Sequence, residues 1–191
     1  DGALHELGGN DLHAWPGSMT TPSQPSHQAH RQQAKAQIAC GVITVSDTRT
    51  EDTDKSGQLI QELLRGAGHA TQAYHIIKDE PSQIRPLVER LLARDDVEAL
   101  IVNGGTGVAR RDVTFDVLSA MVEKPLPGFG ELFRALSYAE IGSAALLSRA
   151  MAGAIGDKVV FSMPGSSGAV RLAMEKLVLP EMAHIVYELR K

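Results

Sequence analysis

The sequence lacks several features that define other classes of protein. Aromatic residues make up only 4% of its 191 residues, so the core must be built from aliphatic side chains and methionine. The single cysteine, Cys40, excludes an internal disulfide and a zinc site built on paired cysteines. No apolar run reaches the roughly 20 residues that cross a bilayer. A net charge of −4 argues against a general nucleic-acid binder, whose phosphate contacts need a basic surface.

These absences also bear on the compartment. The beginning of the sequence lacks the basic and apolar pattern of a signal peptide. Cys40 lies inside an apolar run, which suits a reduced thiol that fills space in a strand. We therefore expect a cytoplasmic protein that binds neither a membrane nor nucleic acid.

The residues that are present predict one folded domain behind a leader. Residues 1–18 resemble a leader added for expression, and residues 20–37 are mostly Pro, Ser, Gln, His and Ala, so we expect residues 1–37 to stand outside the fold. In residues 38–191, amphipathic helices alternate with apolar strands, which are predicted at 38–45, 70–77, 97–102 and 158–163. This alternation predicts an α/β domain, a three-layer sandwich with a mainly parallel sheet.

A glycine-rich loop follows the third predicted strand. It reads Asn103-Gly104-Gly105-Thr106-Gly107 and leads to a helix that Asp112 or Thr114 can cap. A buried strand, three glycines and a capped helix together present backbone N–H groups to a phosphate. Walker A and dinucleotide fingerprints do not fit, because the lysine and the third glycine that they require are missing. A tight turn without a ligand is the alternative.

Polar segments follow all four predicted strands. Because the ends of parallel strands lie on one side of a sheet, these segments can converge. Convergence would bring Asp47, Asp79 and Asp112 to the glycine loop, and carboxylates beside a phosphate indicate a cation such as Mg²⁺. For Asp112, helix capping is the alternative. The four segments are Ser46-Asp47, Asp79-Glu80, residues 104–112 and residues 164–167.

Charged residues near these segments have two interpretations. Arg110, Arg111 and Arg149 can hold phosphate oxygens in forked geometry, although an arginine taken alone is more often a surface residue. Residues 51–54 are expected to form a solvated acidic loop, with Ser56 capping the helix that follows. A protein nucleophile has little support, because Cys40 lies in mid-strand and no serine has a matched His–Asp pair. What is left is phosphoryl or nucleotidyl transfer, which depends on positioning and charge neutralisation.

Five segments of the sequence form a combination that is more specific than the glycine loop alone. They are Ser46-Asp47-Thr48-Arg49 with Asp54-Lys55-Ser56-Gly57, Gly104-Gly105-Thr106-Gly107 with Arg111-Asp112-Val113-Thr114, Leu126-Pro127-Gly128-Phe129-Gly130-Glu131, Leu147-Ser148-Arg149, and Met163-Pro164-Gly165-Ser166. In order and spacing they resemble the MoaB/MogA family of molybdenum-cofactor biosynthesis. The resemblance covers about residues 38–189, and residues 128–181 are closer to MoaB than to MogA.

The resemblance implies the same three-layer fold, assembled as a homotrimer or hexamer. It implies a molybdopterin adenylyltransferase, in which the terminal phosphate of the pterin attacks the α-phosphate of Mg-ATP and releases pyrophosphate. The product then goes forward to a molybdenum-insertion enzyme, an expected partner. Asp79 and Asp112 take the positions of two catalytic aspartates, which we also expect to hold Mg²⁺. The expected substrate- and phosphate-binding residues are Ser46, Asp47, Gly104, Gly105, Thr106, Gly107, Arg111, Glu131, Ser148, Arg149, Pro164, Gly165 and Ser166.

The sequence departs from the family pattern at two positions. Ser167 stands where relatives often have a proline after Pro-Gly-x, and Phe115 stands where they often have one after Asp-Val-Thr. MoaB-type proteins share the fold of the MogA-like enzymes, but catalysis is not a defining property of the MoaB type. A trimer that carries molybdopterin without chemistry is therefore an alternative, and a scaffold domain with a relict pocket is another.

Overall fold

The computed structural model describes residues 37–191, so the prediction for residues 1–37 lies outside the described residues except at Gln37. Strands β2 and β6 have the predicted bounds, and β1 and β3 differ from the prediction by one or two residues. In chain order the elements are β1 (Ala39–Val45), α1 (Lys55–Gly66), β2 (Ala70–Ile77), α2 (Pro81–Leu92), β3 (Ala99–Asn103), α3 (Thr114–Met121), β4 (Lys124–Pro125), α4 (Pro127–Ile141), a 3₁₀ helix (Gly142–Leu147), β5 (Met151–Ile155), β6 (Lys158–Met163), α5 (Ser167–Ala173), a π-helical segment (Met174–Val178) and α6 (Leu179–Leu189).

The strands form a six-stranded sheet in the order β2-β1-β3-β6-β5-β4. Strands β2, β1, β3 and β6 run parallel. Strand β5 pairs antiparallel with β6, and β4 pairs antiparallel with β5. The mainly parallel sheet is therefore confirmed. The four parallel strands end at one edge, where the predicted polar segments begin.

Helices cover both faces of the sheet, because successive side chains of each buried strand point to opposite faces. On one face, residues of β1, β3 and β6 pack against α1, α4, α5 and α6, and Phe133 and Phe161 are the largest fully buried side chains there. On the other face, Leu100 and Val102 pack against α2 and α3. This arrangement confirms the three-layer α/β sandwich.

Two residue-level expectations concern burial and membranes. Cys40 is fully buried on the face of the sheet that also carries Phe133 and Phe161. Burial raises the pKa of its thiol to about 12, so Cys40 behaves as a packing residue. Within residues 37–191, no helix is both long and apolar enough to cross a bilayer.

The start of α1 differs from the prediction. Asp54 caps this helix, because its carboxylate accepts a hydrogen bond from the backbone N–H of Gly57 at 3.0 Å, whereas Ser56 lies inside the helix. Asp54 is fully buried, so the prediction of a solvated acidic loop is wrong at this residue. The local sequence predicted an exposed position for Asp54. In the fold, however, neighbouring strands and loops surround its carboxylate with hydrogen-bond donors.

The start of α3 also differs. Neither Asp112 nor Thr114 caps it. Instead Asp79, from the loop after β2, accepts hydrogen bonds from the backbone N–H of Val113 at 3.3 Å and from the hydroxyl of Thr114 at 2.8 Å. A carboxylate that the fold brings from another loop therefore replaces the local cap that the sequence suggested.

Candidate functional site

The loops after the four parallel strands meet at one edge of the sheet. Asp47 after β1 forms an ion pair with Arg111 of the loop after β3. Asp79 after β2 bonds to the start of α3. Gly104 after β3 donates a backbone hydrogen bond to the carbonyl of Met163, the last residue of β6, at 3.0 Å. The convergence predicted from strand order is therefore present.

A cavity of about 460 Å³ opens at this edge. Eight of the predicted site residues line it, and they come from three different loops. Its opposite wall is largely apolar and comes from α4, the 3₁₀ helix and α5. The eight predicted residues are Gly105, Thr106, Gly107, Asp112, Ser148, Pro164, Gly165 and Ser166, and the opposite wall includes Phe133, Ser137, Ile141, Ala145, Leu147 and Leu172.

The glycine loop needs glycine at two of its positions. Gly104 has a φ of +100° and Gly105 a φ of +61°, values that favour glycine. A Cβ on Gly104 would overlap the carbonyl oxygen of Val45. A Cβ on Gly105 would lie 2.6 Å from the carboxylate oxygen Oδ2 of Asp79 and would overlap the hydroxyl of Thr114. The absence of side chains thus lets the loop lie directly against Asp79.

Asp79 is half-buried behind the glycine loop and is not among the residues that line the cavity. Burial raises the pKa of its carboxyl, the hydrogen bonds from Thr114 and Val113 oppose this shift, and the charge of Asp112 adds to it, with a net rise in pKa. A carboxyl whose pKa is raised by burial and by a second carboxylate, at the edge of a cavity, marks a candidate functional site.

Asp112 faces the cavity, and its carboxylate lies against Gly107. One oxygen accepts a hydrogen bond from the backbone N–H of Ala109 at 3.1 Å, which holds the turn before α3. Within the described residues, no group of three or more His, Cys, Asp or Glu side chains could hold a metal ion. Magnesium commonly binds one or two carboxylates together with substrate phosphates, so the pair Asp79 and Asp112 fits that ion only in the presence of a phosphate ligand.

The predicted basic residues lie at the rim. Arg111 is exposed and pairs with Asp47. Arg149 donates to both carboxylate oxygens of Asp116, at 3.1 and 3.0 Å, and to the backbone carbonyl of Asp112 at 2.7 Å. Its guanidinium lies 4.9 Å from the ring centre of Phe115. Arg149 thus supports the turn that carries Asp112 and is not among the residues that line the cavity, so its contact with phosphate stays a prediction.

Two further predicted site residues, Ser46 and Glu131, are not among the residues that line the main cavity. Ser46 accepts hydrogen bonds from the backbone N–H groups of Thr48 and Arg49, at 3.3 and 3.2 Å, and so shapes the turn after β1. Glu131 lines a separate cavity of about 280 Å³ together with Arg134. The structure does not bring Glu131 to the main cavity, and its role in binding also stays a prediction.

Sequence reasoning missed the contribution of α4. Ser137 is a buried polar residue on the cavity wall, and Phe133 and Ile141 lie on the same wall. In sequence these residues belong to an ordinary amphipathic helix, and no local signal distinguishes a helix face that lines a cavity from one that packs in the core.

Comparison with known proteins decides the family. A family model described as a probable molybdopterin binding domain matches residues 41–184. The chain belongs to the MoaB/MogA family. It is 56% identical over 163 residues to "Molybdenum cofactor biosynthesis protein B" of Bacillus anthracis, an alignment that covers 85% of this chain and 96% of that protein. The chain is thus a homologue of such proteins, in a family with a role in molybdenum-cofactor biosynthesis.

Solved structures agree with this family. A crystal structure of a molybdenum cofactor biosynthesis protein B superposes with a TM-score of 0.79 at 57% identity and covers 81% of this chain and 96% of that chain. The tungsten cofactor synthesizing protein MoaB from Pyrococcus furiosus superposes with a TM-score of 0.75 at 37% identity, covering 83% of this chain and all of that one. Both likenesses extend over the domain that contains the cavity.

Proposed function

We propose that this protein binds molybdopterin and transfers AMP from Mg-ATP to its terminal phosphate, with release of pyrophosphate. One observation carries the proposal. The carboxylates of Asp79 and Asp112 lie against a glycine loop, at Gly105 and Gly107, and Gly105, Thr106 and Gly107 of this loop line a cavity of about 460 Å³. Such a loop and carboxylate pair serve a phosphate with its cation better than they serve a neutral ligand.

The reaction asks little acid–base chemistry of the protein. The pterin phosphate is already ionised at neutral pH, so its oxygen attacks the α-phosphorus, a new P–O bond forms, and the bond to the β-phosphate breaks as pyrophosphate leaves. A bound Mg²⁺ would neutralise charge on the phosphate oxygens, and Asp79 and Asp112 would hold it. The N–H groups of residues 105–107 would position the phosphate, while the apolar wall beside Phe133 would take the flat pterin ring.

A carrier without chemistry is the second candidate. The hydrogen bonds that Asp79 makes to Val113 and Thr114 favour it, because they give this carboxylate a capping role that needs no metal. In that case the same cavity would bind molybdopterin and release it unchanged.

The exposed apolar residues near the cavity support a proposal on assembly. Most of the exposed large hydrophobic side chains lie on α4 and the 3₁₀ helix, namely Leu132, Tyr138, Ile141, Leu146 and Leu147. We define Tyr138, Ile141, Leu146 and Leu147 as the apolar patch, and we propose that it packs against a second copy of the chain in a homotrimer or hexamer. The adenylylated product would pass from this assembly to a molybdenum-insertion enzyme.

The test is pyrophosphate release from purified protein with molybdopterin, ATP and Mg²⁺. We expect Asp112→Ala to lower turnover at least about tenfold, on the order of 1.4 kcal/mol in barrier, and to stay folded. Asp95→Ala is the matched control, because Asp95 is exposed on the loop before β3. Wild-type turnover in Asp112→Ala would refute the assignment. Tight molybdopterin binding by the wild type without pyrophosphate would establish the carrier instead.

A further inference from the structure

A buried polar cluster lies beside the cavity, between β1, β2 and the start of α1. At its centre the fully buried carboxylate of Asp54 accepts hydrogen bonds from the hydroxyl of Tyr74 at 2.6 Å, from the hydroxyl of Ser56 at 3.1 Å and from the N–H of Gly57 at 3.0 Å. Thr44 also bonds to this carboxylate. So many donors fix both carboxylate oxygens in place.

Arg49 joins this cluster to the cavity. Its Nη1 donates to Asp54 at 3.3 Å and to the hydroxyl of Ser56. Its Nη2 donates to the backbone carbonyl of Gly165 at 2.9 Å, across the gap between the loops after β1 and β6. A guanidinium is planar and presents its donors in a rigid fork, so the position of the buried carboxylate dictates the position of that carbonyl.

Gly165 is part of the cavity wall and touches the glycine loop. A Cβ on Gly165 would lie 3.2 Å from the Cα of Gly104 and 3.6 Å from Nη1 of Arg49, so the two loops are in close contact beside the arginine. The next residue, Ser166, also lines the cavity and caps α5 by accepting a hydrogen bond from the N–H of Ala169. Movement of Gly165 would therefore change the spacing of both cavity loops.

We infer that Arg49 is a positioning residue that sets the spacing between residues 104–107 and residues 164–166, with Asp54 as its anchor. It acts through Gly165 and is not among the residues that line the cavity. Burying Asp54 without a cation would be costly, and Arg49 supplies the positive charge while directing its second donor group to the loop. The inference rests on the proposed function only where it predicts ligand affinity, since the loop contact itself is independent of any ligand.

The experiment compares Arg49→Lys and Arg49→Gln with the wild type and with Arg85→Gln. Lysine keeps the charge near Asp54, but a single ammonium cannot span Asp54, Ser56 and Gly165 as the fork does. Arg85 is the control, because it pairs with Glu89 at 3.7 Å on a half-exposed helix surface away from the cavity. Amide hydrogen exchange of the segment 163–170 measures the loop contact, and fluorescence titration with molybdopterin measures affinity.

We expect Arg49→Lys to stay folded and to exchange the amides of 163–170 at least about tenfold faster than the wild type. It should also bind molybdopterin at least about tenfold more weakly. In the pyrophosphate assay, the KM for molybdopterin should change more than kcat. The control should match the wild type in every readout. Unchanged exchange and affinity in Arg49→Lys would overturn the inference, even if Arg49→Gln fails to fold. If the wild type binds no molybdopterin, the proposed function fails, while the exchange rates still decide whether Arg49 holds the loop.

Discussion

Asp79 accepts the hydrogen bonds at the start of α3 and, in the proposed function, also holds Mg²⁺, and two substitutions separate these roles. In Asp79→Ala the N–H of Val113 and the hydroxyl of Thr114 lose their acceptor, and removal of a helix cap costs about 0.5–2 kcal/mol. In Asp79→Asn the amide oxygen can occupy the position of Oδ1 and accept both hydrogen bonds. We therefore expect the asparagine variant to be more stable than the alanine variant by about 1 kcal/mol.

Loss of the charge itself should change stability little. The negative charge at the start of α3 interacts favourably with the helix dipole, by about 0.3–1 kcal/mol. Against this, burial and the nearby charge of Asp112 raise the pKa of Asp79, which means that the folded protein disfavours the ionised form. Because the two effects oppose each other, we expect Asp79→Asn to have an unfolding free energy within about 1 kcal/mol of wild type at neutral pH. Turnover should nevertheless fall at least about tenfold in both variants.

The assay is urea unfolding of the three proteins, followed by pyrophosphate release. Because the folded state holds the Asp79 proton more tightly than the unfolded state does, the stability of the wild type relative to Asp79→Asn should fall as pH rises from the ordinary aspartate pKa through the raised one. Above that range the difference should be constant. Equal stability of the alanine and asparagine variants would refute the capping role, and wild-type turnover in Asp79→Asn would refute the need for a charge.

Two further predictions follow from other parts of the structure. In Tyr74→Phe the buried carboxylate of Asp54 loses a charged hydrogen bond, so urea unfolding at neutral pH should show a loss of about 1.5–3 kcal/mol. Burial opposes ionisation of Asp54, but the hydrogen bonds to its carboxylate outweigh burial and lower the pKa of Asp54. The stability deficit of Tyr74→Phe should therefore shrink as pH falls through that lowered pKa. A deficit that persists in acid would contradict this explanation. Leu146 is 81% exposed in the apolar patch, and Leu146→Asp should reduce the mass measured by light scattering towards that of one chain, whereas an unchanged mass would exclude this surface from the assembly.

The fold was predictable where local pattern determines structure. Strands β2 and β6 match their predicted bounds because each ends where polar and turn-forming residues begin. The short edge strand β4, which includes Pro125, was not predicted, because two residues carry no periodic signal. The boundary between the 3₁₀ helix and β5 could also not be predicted from the sequence, because both elements are built largely from small apolar residues.

The candidate site was predictable only in outline. Strand order explains why Asp79, Asp112 and the glycine loop lie together. It does not give the burial of Asp54, which depends on the hydroxyl of Tyr74, 20 residues further along the chain. The cap of α3 was assigned to the wrong residues for the same reason, because the carboxylate that satisfies it comes from 34 residues earlier.

Two arginines of the family motifs support the cavity loops from behind. Arg49 and Arg149 each donate to a backbone carbonyl of a cavity loop, at Gly165 and at Asp112, and each is held by a carboxylate behind it. Each arginine therefore fixes one carbonyl of a cavity loop, and a rigid guanidinium can hold the loop in that position before a ligand arrives. A site built from backbone N–H groups needs such supports, because glycine offers no side chain by which the protein could hold the loop in place. The family motifs therefore include residues that hold the cavity loops in place as well as residues that are proposed to contact a ligand.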